Sequence, residues 1–130
     1  WRPADEADRP FLPTEVVADA PEQQFPEGPV MVEFVGRHCP VCLRMAPIVG
    51  AMKRECLGQG VKIHRIEVDA PGGRELARRH GVLGVPTFLF IDADGREVAR
   101  MVGEQPHESL AQSLQVLSGG KCSGFRAFPG

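Results

Sequence analysis

Residues 39 to 42 read Cys-Pro-Val-Cys, two thiols separated by two residues, directly after His38. Sulfurs at this spacing support three chemistries: reversible disulfide exchange, half of a tetrahedral metal site, or inert packing as small apolar side chains. The run Val30 to Val35 before them reads as a strand, and apolar residues recur at three- and four-residue spacings after Pro40, so Cys39 falls where a strand stops and a helix starts. A helix N-terminus offers unsatisfied amides and the positive end of its dipole, which favour thiolate over thiol. Such a setting lowers a cysteine pKa from about 8.5 into the range of roughly 3.5 to 7.5, making Cys39 a candidate nucleophile at neutral pH. Pro40 suits the first helical position, and helical spacing brings Cys42 to the same side, within disulfide reach. So small a ring stabilises a fold by only roughly 2 kcal/mol in the chain-entropy relation, which suits a reversible two-electron switch better than a staple. For metal, a four-ligand zinc site needs a second close pair, and His38, His64, His80 and His107 do not supply one. A copper site built from Cys39, Cys42 and His38 is the rival.

The elements that must hold these sulfurs can be read outward from them. The strand over 30–35 is apolar on both faces, as a central strand covered on both sides should be. Val41, Met45, Ile48, Val49 and Met52 give a helix from Pro40 to about Leu57, with Pro47 expected to kink it. Residues 61–69 alternate as a second strand. Gly72 and Gly73 precede a short helix over 74–80, closed by Gly81. Residues 87–92, an Asp-Ala-Asp-Gly turn and residues 96–102 form a hairpin, and a last helix over 106–117 ends at Gly119-Gly120. The order β-α-β-α-β-β-α implies a mixed sheet flanked by helices, parallel where strands are joined through a helix and antiparallel at the hairpin. Upstream, residues 1–13 are charged and proline-containing, as expected of a flexible leader, and a short helix over 14–24 capped by Thr14 is cut or kinked by Pro21.

The chain has 130 residues, 42% of them hydrophobic, enough for one domain with a real core. A formal net charge of -2 from 15 basic and 17 acidic residues, well mixed, argues against nucleic acid as the main partner. No apolar stretch approaches the roughly 20 residues of a membrane-spanning helix.

Taken together, the strand, the Cys-x-x-Cys helix with Pro47 five residues beyond Cys42, and Gly-Val-Pro-Thr at 84–87 make the chain resemble the thioredoxin family from about residue 14 to 118. The resemblance implies a thioredoxin-like α/β fold over 14–118, with 119–130 as a C-terminal tail. It implies that Pro86 is a cis-proline beside the sulfurs and that the backbone of Val85 pairs with a substrate peptide. Glu33, six residues before Cys39, stands where thioredoxins carry a buried acid, and Arg65 stands in the place of a thioredoxin lysine. A carboxyl group in an apolar strand should have a raised pKa unless it is paired, and Arg65 is the candidate partner. The chain departs from the family where Trp-Cys-Gly-Pro-Cys becomes His-Cys-Pro-Val-Cys, a dipeptide closer to that of glutaredoxins and periplasmic disulfide oxidases. This departure bears on the direction of electron flow. His38, next to the site, is a candidate substrate contact that would favour the thiolate when protonated. In the thioredoxin topology, the Cys-x-x-Cys helix and the last helix descend the same face, so Cys56 and Cys122 are expected to form a structural disulfide far from Cys39; the alternative is a buried, inert Cys56 and a free Cys122.

The expected activity is thiol–disulfide exchange on protein disulfides or dithiols, with attack by Cys39, resolution by Cys42 and proton transfer through Glu33, and with no dissociable cofactor or metal. The competing reading is a thioredoxin-like copper carrier or partner-binding module that uses the same cysteines as ligands. A monomer is expected. Trp1 in place of Met suggests a signal peptide or membrane anchor removed upstream. With the cysteine content, it suggests a periplasmic or other extracytoplasmic location, the alternative being cytoplasmic.

Overall fold

All six side chains of β1 (Val30–Val35) are buried in the computed structural model, which describes residues 29–123. The leader over 1–13, the helix expected over 14–24 and residues 124–130 lie outside the described residues. After β1 come α1 (Pro40–Cys56), β2 (Lys62–Glu67), α2 (Pro71–Arg79), β3 (Thr87–Ile91), β4 (Glu97–Val102) and α3 (His107–Leu117), the order expected from the sequence.

The described strands form one sheet in the order β2-β1-β3-β4. β1 pairs parallel with β2, with Glu33 opposite Arg65, and antiparallel with β3, with Glu33 opposite Phe88. β1 and β3 are the inner strands and are buried along their whole length, which is why they read as unbroken apolar runs. The outer strands alternate, as β2 does with buried Ile63 between exposed Lys62 and half-buried His64. Alternation along β1 divides the core in two. Met31 joins Met45, Met52, Phe88, Phe90, Leu110 and Leu114 under α1 and α3, whereas Val30, Val32 and Phe34 join Leu76, Ala77 and Leu89 under α2. Burying this surface on both faces fixes the depth and direction of β1, and hence where its last residue delivers the chain to the site.

α2 starts earlier than the sequence suggested. It takes Ala70 as cap and Pro71 in its first turn, so Gly72 and Gly73 lie inside the helix and not ahead of it. Gly73 is where this helix presses on the end of β2: a Cβ there would stand 1.8 Å from the Glu67 carbonyl oxygen. Gly73 therefore serves close packing, not a turn, whereas a Cβ at Gly72 would meet nothing within 4 Å. α1 runs on through Pro47. The β3–β4 turn is tied by the Asp92 carboxylate, which accepts from the amides of Asp94 and Arg96 at 2.9 and 3.0 Å, and Gly95 takes a φ of 85°. α3 ends as Gly120, at φ 87°, returns its amide to the Gln115 carbonyl at 2.7 Å.

Candidate active site

β1 ends at Val35, and three residues, Gly36, Arg37 and His38, turn the chain into α1. Two contacts hold the turn: the Val35 carbonyl accepts from the Val68 amide at 2.9 Å, and the Asp69 carboxylate accepts from the Arg37 amide. Gly36 leaves room for Val85, whose Cγ2 would be 3.1 Å from a Cβ at that position. Asp69 and Gly36 were not singled out from the sequence. Asp69 closes the alternating run of β2, but only the fold brings it beneath residue 37.

Cys39 is the N-cap residue of α1, with extended backbone (φ -131°, ψ 97°), and Pro40 begins the helix. Its Sγ accepts from the Cys42 amide at 3.1 Å, while its carbonyl accepts from the Leu43 amide at 3.1 Å. A sulfur in the N-cap position thus does what a serine or aspartate oxygen usually does, accepting from an orphan amide of the first turn. Cys39 and Cys42 are joined as a disulfide with Cα atoms 5.2 Å apart. Cys39 is 8% exposed and Cys42 2%, so Cys39 is the more accessible of the two.

The peptide between Val85 and Pro86 is cis. Val85 packs with Val35 and Val41 against the two cysteines. The loop carrying it is fastened on either side, by Thr87 Oγ1 donating to the Gly84 carbonyl at 2.7 Å and by the Gly103 amide donating to the Pro86 carbonyl at 2.8 Å. The Val85 amide and carbonyl have no hydrogen-bond partner among the described residues. Leu83, two residues earlier, is 99% exposed. His38 is exposed on the turn before Cys39.

Glu33 is 1% exposed on the α1 side of β1. Burial pushes its carboxyl up to about 7, against the opposing charge of Arg65. Oε2 has no hydrogen-bond partner, and no bond joins Glu33 to either cysteine among the described residues. The side chain lines a pocket of about 150 Å³ together with Lys53, Arg65, Val49 and Gly50. The structure thus brings Cys39, Cys42, Val85 and Pro86 together and sets Glu33 below them in a pocket of its own. Lys53 in that pocket was not anticipated, because its place there depends on how α1 lies across the sheet.

Cys56, the last residue of α1, and Cys122, five residues past the end of α3, form a second disulfide with Cα atoms 5.2 Å apart. Both are 1% exposed within the core under α1 and α3. Buried Ser118 braces the approach to Cys122, its Oγ accepting from the Cys122 amide at 2.9 Å. Among the described residues, no group of three or more His, Cys, Asp or Glu side chains is placed to hold a metal ion, and no helix is long and apolar enough to cross a membrane.

These features fit what the chain is similar to. The Thioredoxin family profile matches residues 15–116. Thioredoxin of Bacillus subtilis is 33% identical over 100 residues, covering 74% of this chain and 92% of that protein. A chloroplastic thioredoxin-like protein of Arabidopsis thaliana is 32% identical over 73% of this chain, and a thiol:disulfide interchange protein of the TxlA type from Synechocystis is 33% identical over 68% of it. The matches span 36% and 49% of those two relatives' own lengths. Among solved structures, Fasciola hepatica thioredoxin is similar at a TM-score of 0.62 and 29% identity, over 70% of this chain and 83% of its own. With its mixed sheet, its flanking helices and the paired cysteines at the start of α1, the chain belongs to the thioredoxin family.

Proposed function

We propose that the protein exchanges disulfides with partner proteins through a mixed disulfide on Cys39. The observation that carries this reading is the hydrogen bond from the Cys42 amide to the Cys39 sulfur at the N-terminus of α1. A negative charge on that sulfur gains from the same amide and from the helix dipole, so the thiolate is the favoured leaving group and the favoured nucleophile. In the reducing direction, the Cys39 thiolate attacks one sulfur of a substrate disulfide and the other leaves as a thiolate. Cys42 then loses its proton and attacks Cys39, releasing the second substrate thiol and closing the Cys39–Cys42 disulfide. Two electrons pass from the protein to the substrate, and the oxidising direction runs the same steps backwards.

Glu33, with its raised pKa, is the acceptor suited to the proton of Cys42 near neutral pH. The unpaired amide and carbonyl of Val85 suit an extended substrate segment added as a strand beside the sulfurs, with Pro86 fixing the loop and exposed His38 at its edge. Cys56–Cys122 acts as a structural staple, an assignment supported by its burial and its position at the far end of α1. Two disulfides in one small domain fit an extracytoplasmic setting. The protein acts as a monomer.

Cys42→Ala tests the assignment. It should accumulate covalent adducts with protein substrates through Cys39, since the mixed disulfide then has no internal exit. Cys39→Ala should accumulate none. Adducts that map to Cys42, or exchange activity that survives loss of Cys39, would contradict it.

A further inference from the structure

Next to the disulfide, α2 and the loop before Pro86 enclose a groove of about 270 Å³. Val68, Ala77, Val82 and Val85 form its apolar floor, and Arg74 and Arg78 stand at its edge. Val85 is shared, since it also packs against Cys39 and Cys42. A side chain seated in the groove is therefore one residue's width from the sulfurs.

The charge at this edge is not balanced. Arg74 is exposed, and its hydrogen bond is a long 3.4 Å contact to the Asp69 carbonyl, a neutral acceptor. Arg78 is paired with Glu75, but Arg79 takes the same carboxylate at 3.2 Å, so one anion serves two guanidiniums. Arg37 is exposed on the turn before the site, and the Asp69 carboxylate that accepts from its backbone amide keeps its negative charge, so four guanidiniums, of Arg37, Arg74, Arg78 and Arg79, stand against the two carboxylates of Glu75 and Asp69. The mouth of the groove is thus basic in a chain whose net charge is -2.

The geometry points to a specificity subsite for a disulfide-bearing segment of a partner protein that carries an aliphatic residue and an acidic residue beside its reacting cysteine. The aliphatic side chain fills the groove against Val82 and Val85, and the carboxylate meets Arg74 and Arg78. An aliphatic residue gains from burial against a floor whose valines are half-buried and still partly open to solvent. The arginines steer acidic segments in and repel basic ones, and this selectivity should weaken as salt screens it. The inference rests on the exchange reaction proposed above and adds the choice of substrate.

The test uses two peptides that place leucine near a cysteine and differ only in aspartate or lysine beside it. Each cysteine is presented as a mixed disulfide with thionitrobenzoate, and the reduced protein is the reactant. The Cys39 thiolate attacks the peptide sulfur, thionitrobenzoate leaves and is followed by its colour, and Cys42 then releases the peptide thiol as the Cys39–Cys42 disulfide closes. The aspartate peptide should react about fivefold faster at low ionic strength, with the ratio closing towards one at high salt. Arg74→Glu, a change at an exposed position, should bring the low-salt ratio to about one, and Arg74→Glu with Arg78→Glu should invert it. Because each ratio is taken within one protein, differences in overall activity cancel. Equal rates for the two peptides, or a preference that the arginine substitutions leave unchanged, would overturn the subsite. Failure of the unaltered protein to reduce even hydroxyethyl disulfide would overturn the exchange reaction itself, and the subsite with it.

Discussion

A carboxyl group at position 33 sits in the middle of an otherwise apolar, fully buried strand, and the fold bears a cost for its ionisation. The folded pKa of about 7 lies above the ordinary value of 4.5, so the folded state holds a proton that the unfolded chain releases between those limits. Stability is therefore full below pH 4.5 and is lost as the pH rises through 7, by roughly 3 kcal/mol if this group acts alone. Glu33→Gln removes that dependence while keeping the shape. Chemical denaturation of the oxidised protein should show the variant more stable at pH 8 and nearly equal at pH 4.5, with exchange slowed about a hundredfold near neutrality by loss of the proton acceptor. Parallel stability curves would mean that folding does not raise the Glu33 pKa, and unchanged exchange rates would remove it from the reaction. Its position was legible in the sequence as an interruption of an apolar run. The pocket it shares with Lys53 was not, because Lys53 comes from a helix 20 residues further on (53 minus 33) and meets Glu33 only across the α1–sheet packing.

At the scale of elements, two features make separable predictions. Gly73→Ala places a methyl group against the Glu67 backbone, which cannot swing aside as a side chain could. α2 must then shift from the end of β2, and thermal or chemical denaturation should register a loss of about 1 to 3 kcal/mol. Gly72→Ala, where a Cβ meets nothing within 4 Å, serves as the control and should cost little. Equal effects at the two positions would contradict the close packing assigned to Gly73. The start of α2 was misread because two adjacent glycines signal a turn when judged locally, whereas here one of them answers a contact with another element. The second feature is the Cys56–Cys122 disulfide, which closes a loop with a sequence separation of 66. Chain entropy gives it about 4 kcal/mol, so replacing both cysteines by alanine should lower stability by that order while leaving exchange at Cys39 in place. A stability loss under 1 kcal/mol would demote it from a staple. The joining of these two cysteines came from a family likeness, since nothing local to residue 56 or 122 tells of the other.

For the molecule as a whole, the sequence was most informative where the chemistry depends on neighbours in the chain. The strand, the N-cap cysteine, Pro40 and Cys42 lie within 13 consecutive residues, 30 to 42, and the period of the apolar residues places them. The order of strands and helices was legible for the same reason, because buried inner strands and amphipathic helices carry different periods. What comes from separate parts of the chain was not legible locally: the Arg37–Asp69 tether and the arginine-edged groove each require α2, β2 and the loop before Pro86 to converge on the end of β1, and the place of Val85 and Pro86 came only from the family likeness. That convergence sets Cys39–Cys42 at the rim of the core, with Cys39 the less buried of the two, and leaves Cys56–Cys122 enclosed within it. The central claim, that Cys39 and Cys42 are an exchanging couple, is tested most directly by equilibrating the protein across glutathione redox buffers and mass-mapping all four cysteines, with metal content measured in parallel. The account predicts one reversible two-electron transition at Cys39–Cys42, with Cys56 and Cys122 still joined through it and no metal bound in proportion to protein. A Cys39–Cys42 pair that fails to exchange with glutathione, or whose thiols are held by a stoichiometric copper ion, would contradict it.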